Sequence, residues 1–235
     1  MQNHKIVTRE EWLHARRLHM ADEKEFTRQR DKLSQARREL PWTKLDKDYV
    51  FRTSQGNRSL GELFEHRSQL IVQHFMYGEH WDEGCPSCSF WADNYDGTIV
   101  HLNSRDISFV AVSLAPIEQL CAYKKRMSWD FNWVSSATCD FNQDFGVSFT
   151  EPELASNKPI YNFATSTFQI SEAPGVSVFF KNEAGEIFHT YSAYARGLDM
   201  LNSAYHYMDL VPKGRDEAHL PHSMAWLKRH DSYHK

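Results

Sequence analysis

The chain has 235 residues, 41% of them hydrophobic and 25% charged, with a net charge of −4. This is the composition of an ordinary globular protein, and it gives no reason to expect a nucleic acid or an anionic membrane as partner. No apolar run approaches the roughly 20 residues that span a bilayer.

The opening MQNHKIVTREEW has no apolar h-region, so no secretory signal is expected. Four cysteines over this length do not make a disulfide scaffold, which points to a reducing cytoplasm.

Residues 8–40 read as a long charged helix, with Thr8 and Glu11 spaced as a capping box and Pro41 as the stop. Its intermittent apolar stripe (Trp12, Met20, Phe26, Leu33) fits two arrangements. One is a homodimer contact with a second copy of the chain; the other is an arm lying on its own domain.

DYVFRTSQGNRSL predicts a short hairpin around Gln55-Gly56-Asn57, followed by a helical SLGELFEHR. QLIVQHFMY (69–77) is an apolar strand, SFWADNY a short helix ending near Gly97, and DISFVAVSL (106–114) the next buried strand. Pro116 opens the helix PIEQLCAYKKRM, and FNWVSS (131–136) is a further strand. This alternation predicts a parallel sheet covered on both faces.

An irregular insertion follows, near 137–174, and then the clearest hairpin, GVSVFFKNEAGEIFHTYSAY (175–194). The chain divides into an N-terminal helical extension (1–41), a main domain (42–212) and a C-terminal tail (213–235).

The chemistry concentrates in HWDEGCPSCSFWAD, residues 80–93. Cys85 and Cys88 follow a buried strand and open a helix. Pro86 sits in the first turn, where its missing N–H costs nothing. A thiolate at Cys85 can accept from the free amides of Ser87 and Cys88 and feels the positive end of the helix, both of which lower its pKa. Cys88, one turn on, is placed to resolve a mixed disulfide at Cys85.

Redox exchange is the favoured reading, with Cys85 as nucleophile and Cys88 as resolving thiol. A metal site would need two further ligands, such as His74 and His80, and there is no second C-x-x-C. An inert pair is the third reading. Cys121 falls with Ile117, Leu120 and Met127 as a buried small hydrophobe, and Cys139 receives no role.

These residues carry a resemblance. LIVQHFMYGEHWDEGCPSCSFWAD, FVAVSLAPIEQLCAYKKRMSW, PGVSVFFKNEAGEIFHTYSAYARG and MDLVPKGRDE resemble the thioredoxin superfamily. They are closer to an uncharacterised bacterial thioredoxin-like family described as predicted dithiol–disulfide oxidoreductases, over roughly 5–235. The resemblance implies an α/β fold, a thioredoxin-like central sheet with helices on both faces plus N- and C-terminal extensions. It implies no cofactor and no metal. Its partners would be a protein or small-molecule disulfide and an external thiol reductant.

His74 falls where thioredoxin has a buried aspartate, and two roles fit it: a proton acceptor for Cys88, or a hydrogen-bonded core histidine, the latter favoured. Pro174 is the candidate for the cis-proline opposite the site, although Gly175 occupies the aligned slot. Trp81 resembles the flanking aromatic of such sites, whereas Trp91 reads as core. Arg196 could approach the thiolate as the peroxiredoxin arginine does, with a structural ion pair the favoured role, and GRDE (214–217) reads as a turn with paired charges.

The longer loop YGEHWDEG has the length found in peroxiredoxins. However, Gly78 and Asp82 stand where that family has proline and threonine. A thiol peroxidase is therefore the second enzyme reading, and a non-catalytic binding or assembly protein the third.

Overall fold

The structure, a computed structural model, describes residues 4–156, 158–166 and 170–233. The chain forms two compact units, Met1–Pro41 and Trp42–Lys235.

In the first unit, helix α1 (Arg9–Arg38) begins at Thr8. The Thr8 hydroxyl accepts from the Glu11 amide at 3.2 Å, and the Glu11 carboxylate accepts from the Thr8 amide at 2.9 Å. This capping box satisfies two of the amides that a helix start leaves unpaired. Charged residues also pair along the helix, as Arg16 does with Glu23 at 2.8 Å.

The second unit opens with strands β1 (Thr43–Lys44), β2 (Val50–Thr53) and β3 (Gly56–Ser59), then helix α2 (Leu60–Leu63) and strand β4 (Gln69–His74). Helices α3 (Pro86–Tyr95) and α4 (Ile99–Asn103) lead to β5 (Ile107–Ser113), α5 (Ile117–Arg126) and β6 (Asn132–Ser135). Among its described residues the insertion carries short pieces: α6 (Phe141–Asp144), α7 (Glu151–Ala155), β7 (Ile160–Tyr161) and β8 (Ala164–Thr165). Strands β9 (Gly175–Lys181) and β10 (Ile187–Tyr194) form the long hairpin, and α8 (Ser203–Met208) precedes the tail.

Eight strands make one sheet in the order β1-β10-β9-β4-β5-β6-β2-β3. The sheet is mixed: the strands of the strand–helix alternation pair in parallel, as expected, and the two hairpins add antiparallel strands. Only β4, β5 and β6 run parallel, while β9 is antiparallel to β4 and to β10. The cause is connection length: helix-bearing crossovers permit parallel neighbours, whereas the short turns at 54–55 and 182–186 can join only antiparallel ones. The core of β10, β9, β4 and β5 is the arrangement a thioredoxin-like fold requires.

Alternation along the central strands divides the interior in two. Ile71, Phe75, Phe109 and Ala111 face an aromatic-rich layer with Trp91, Tyr95, Tyr123, Trp129 and Trp133, under α3, α4 and α5. Leu70, Val72, Val110 and Val112 face the opposite layer with Phe51, Phe64, Phe141 and Phe179, under α2 and α6. Helices therefore cover both faces.

Cys121 is exposed, contrary to the expectation of burial. Helix α5 buries Leu120 and Tyr123, three apart, and this rotates residue 121 outward. Among the described residues no helix is long and apolar enough to cross a membrane.

Candidate active site

Strand pairing continues past the end of β4. The Phe75 amide donates to the Val112 carbonyl at 2.9 Å, and the Ala115 amide to the Tyr77 carbonyl at 2.8 Å. Residues 78–84 then loop out, and the chain returns when the Cys85 amide donates to the Met76 carbonyl at 3.0 Å. Gly84 makes that return feasible. A Cβ there would sit 2.8 Å from the Phe75 ring and 2.9 Å from the Tyr123 ring, closer than packed atoms tolerate.

Cys85 is the N-cap residue of α3 and Pro86 occupies its first turn. The two sulfurs face each other as free thiols. Cys88 is buried, and its sulfur accepts from the Met76 amide at 3.4 Å, whereas Cys85 keeps some exposure.

The hydrogen bond from the Cys88 thiol holds the Cys85 pKa down, to about 6, against the effect of its own burial. The amides of Cys88 and Ser87 and the Ser87 hydroxyl add to this. Cys88 moves the opposite way, well above the ordinary range, because it gives its proton to that bond and is buried. One thiol is therefore acidic and partly exposed, the other protonated and buried.

Both cysteines line a cavity of about 440 Å³ together with Met76, Trp91, Pro174, Leu198 and Met224. Trp91 is anchored by donating from Nε1 to the Leu198 carbonyl at 3.0 Å. Pro174 shares the cavity, but no cis peptide bond occurs among the described residues, so the expected cis-proline is corrected to trans. With Gly175 pairing directly to His74 in the sheet, the proline lies just ahead of strand β9 and outside its ladder.

His74 does not join the cysteines. It lies on the opposite face, stacked near Phe141 with ring centroids 5.6 Å apart, and its Nε2 is 2.9 Å from the Ser177 hydroxyl. Burial, with a smaller contribution from His189, pushes its pKa down to about 3, so it stays neutral. The proton-acceptor role is set aside on this geometry. Period-two alternation directs the preceding residue, Gln73, to the cavity instead, where its amide donates to the Gly175 carbonyl at 3.1 Å.

Arg196 lies at the cavity rim but pairs with Asp199 at 2.9 Å, and its side chain is 82% exposed. It is not among the groups that lower the Cys85 pKa. Trp81 is outside the cavity lining; its ring lies over Gly78 and it packs at the edge of the aromatic layer.

Two further contributors are missed by the sequence reading. Glu172, buried at the end of the insertion and accepting a hydrogen bond from the Ser148 hydroxyl at 2.9 Å, is raised to about 7 by burial. Its charge raises Cys88 in turn.

The tail supplies the second. Arg229 donates to the Tyr123 hydroxyl at 2.8 Å and to the Gly84 carbonyl at 2.7 Å, bracing the residue just before Cys85. Within GRDE, Arg215 pairs with Asp199 and Asp209. Glu217 instead accepts from Tyr205, Trp226 and the Met224 amide. An arginine so far along the chain from its target leaves no local signal. The described residues contain no cluster of three or more side chains able to hold a metal ion.

In comparisons with solved structures, the chain is similar to the peroxidoxin BcpB from Mycobacterium tuberculosis, with 12% identity and a TM-score of 0.45. That match covers 67% of this chain and 90% of that one. It is also similar to a cysteine-to-serine mutant of PrxQ from Xylella fastidiosa, with 10% identity and a TM-score of 0.43, over 68% of this chain and 89% of that one. No curated protein matches the sequence. The family model described as "Bacterial protein of unknown function (DUF899)" matches residues 1–233, and the chain belongs to that family.

Proposed function

We propose that this protein is a thiol–disulfide oxidoreductase. The observation that carries the reading is the division of labour between Cys85, acidic and partly exposed at the start of α3, and Cys88, buried and holding its proton. At pH 7 a thiol of pKa about 6 is about 90% thiolate, against about 3% for an ordinary cysteine.

The Cys85 thiolate attacks one sulfur of a substrate disulfide, the S–S bond breaks, and a substrate thiolate leaves. Cys88 then loses its proton to solvent or to the departing thiolate and attacks the Cys85 sulfur, releasing the second substrate thiol. The protein is left with a Cys85–Cys88 disulfide and the substrate is reduced by two electrons. An external thiol reductant restores the dithiol.

The test is rapid mixing of reduced protein with a generic disulfide and, separately, with hydrogen peroxide, with the Cys85–Cys88 disulfide identified by mass spectrometry. Fast exchange with the disulfide supports the proposal. Faster consumption of peroxide would replace it with the peroxidase reading, and inertness to both with that of a binding protein.

A further inference from the structure

The tail is part of the wall around the thiols. His222, Ser223 and Met224 line the cavity with Cys85, and Met224 and Trp226 pack against the aromatic layer. This stretch is fastened at both ends. Before it, Glu217 accepts from the Met224 amide at 3.0 Å and from Trp226 Nε1 at 2.7 Å. After it, Arg229 holds Tyr123 and Gly84, and His230 Nδ1 lies 2.7 Å from Asp93. The segment that narrows access to Cys85 is therefore pinned to the domain.

The lining is apolar on most sides: Met76, Trp91, Ile170, Pro174, Leu198 and Met224. Its charged groups among the described residues are the Cys85 thiolate and the pair Arg196 and Asp199, which meet at 2.9 Å, with Arg215 taking a further share of Asp199. The Gln73 side-chain nitrogen donates to the Gly175 carbonyl. An anionic ligand would lose its hydration here, face the Cys85 thiolate and find the one lining cation, Arg196, already paired, while an apolar body would be favourably buried. The volume of about 440 Å³ is that of a site for a small organic molecule.

We infer that the cavity selects neutral, low-molecular-weight disulfides with an apolar body, and that protein disulfides are not its substrates. This rests on the exchange reading for its chemistry, but the cavity's preference can be measured without any reaction.

The first measurement is equilibrium binding of N-phenyl-1-naphthylamine, a neutral apolar fluorophore, to the Cys85→Ser protein. Binding at micromolar concentration is expected, weakened at least tenfold by Met224→Asp and, independently, by Ile170→Asp. Both positions are partly exposed, so the variants are expected to fold, and near-UV circular dichroism checks this. Leu210→Asp, at an exposed position outside the lining, is expected to bind like the parent.

The second measurement compares kcat/KM for 4,4′-dithiodipyridine, oxidised glutathione and insulin, each with the same thiol reductant. The dipyridyl disulfide is expected to exceed both others by at least tenfold after correction for the intrinsic reactivity of each toward a free thiol. Absence of probe binding, or binding untouched by either wall variant, overturns the inference, as does insulin reduced as fast as the dipyridyl disulfide. If the probe binds and both wall variants weaken it, yet no disulfide reacts, the exchange reading falls and the apolar preference stands.

Discussion

The two faces of the sheet treat polar groups in opposite ways. On one, Cys85 and Cys88 meet a cavity, share a proton and are driven apart in acidity. On the other, His74 is packed beside Phe141 and Phe145 and held neutral. His74 and Gln73 are adjacent in the chain yet belong to different chemical environments. What decides whether a group here can trade protons or electrons is the face it points to, not its distance from the cysteines along the sequence.

The largest expected effect lies on the cysteine face. Cys85→Ser should lower disulfide exchange on the order of 1,000-fold, since the nucleophile is gone. Cys88→Ser should still react once and accumulate the mixed disulfide, seen as an intact-mass increase. The pH dependence of Cys85 alkylation sharpens the contrast. With its pKa lowered to about 6, the rate should rise with pH and level off above about 7, rather than climb through the ordinary range near 8.5. A midpoint near 8.5 would erase the asymmetry between the two thiols.

Glu172 gives the next effect. Its pKa is raised to about 7 in the folded protein, against 4.5 as the ordinary value, so the folded state binds the extra proton between those limits. The stabilising contribution is whole below about 4.5 and is lost as pH rises through about 7, on the order of 3 kcal/mol in total. Denaturant unfolding of Glu172→Gln across that window should show this slope flattened. An unchanged slope would mean that the carboxylate is better solvated than its surroundings imply.

His74→Ala tests the quiet face. Loss of the Ser177 bond and of packing against Phe141 should cost about 2–3 kcal/mol of stability. Exchange rates measured well below the unfolding midpoint should stay within about twofold of the parent. A large fall in rate with the fold intact would bring His74 back into the chemistry.

The smallest effect belongs to the tail. Arg229→Ala should cost about 1–2 kcal/mol. It should also speed alkylation of Cys85 by bulky reagents more than by iodoacetamide.

Much of this is readable from the sequence where the determinants are local. Thr8 with Glu11, the apolar runs of β4 and β5, the 175–194 hairpin and the placement of Cys85 before Pro86 all depend on neighbours a few residues away. The rest depends on contacts that no short window contains. His74 aligns with a buried aspartate, although strict alternation from Leu70 already assigns it to the far face. Cys121 has apolar neighbours in the chain, while the i, i+3 spacing of Leu120 and Tyr123 turns it outward. Pro174 aligns one residue away from the cis-proline slot, and it is trans. The bracing by Arg229 and Glu217 joins an irregular tail to distant loops and helices, so no periodic pattern announces it.

The bond from Arg229 to the Gly84 carbonyl spans 145 positions. A ribosome makes the chain from its amino end, so both thiols and the helix that activates them exist well before their last support is synthesised. During that interval the nascent polypeptide carries Cys85 with one side of its enclosure still missing. The growing chain is then open to disulfides in a way that the finished molecule is not.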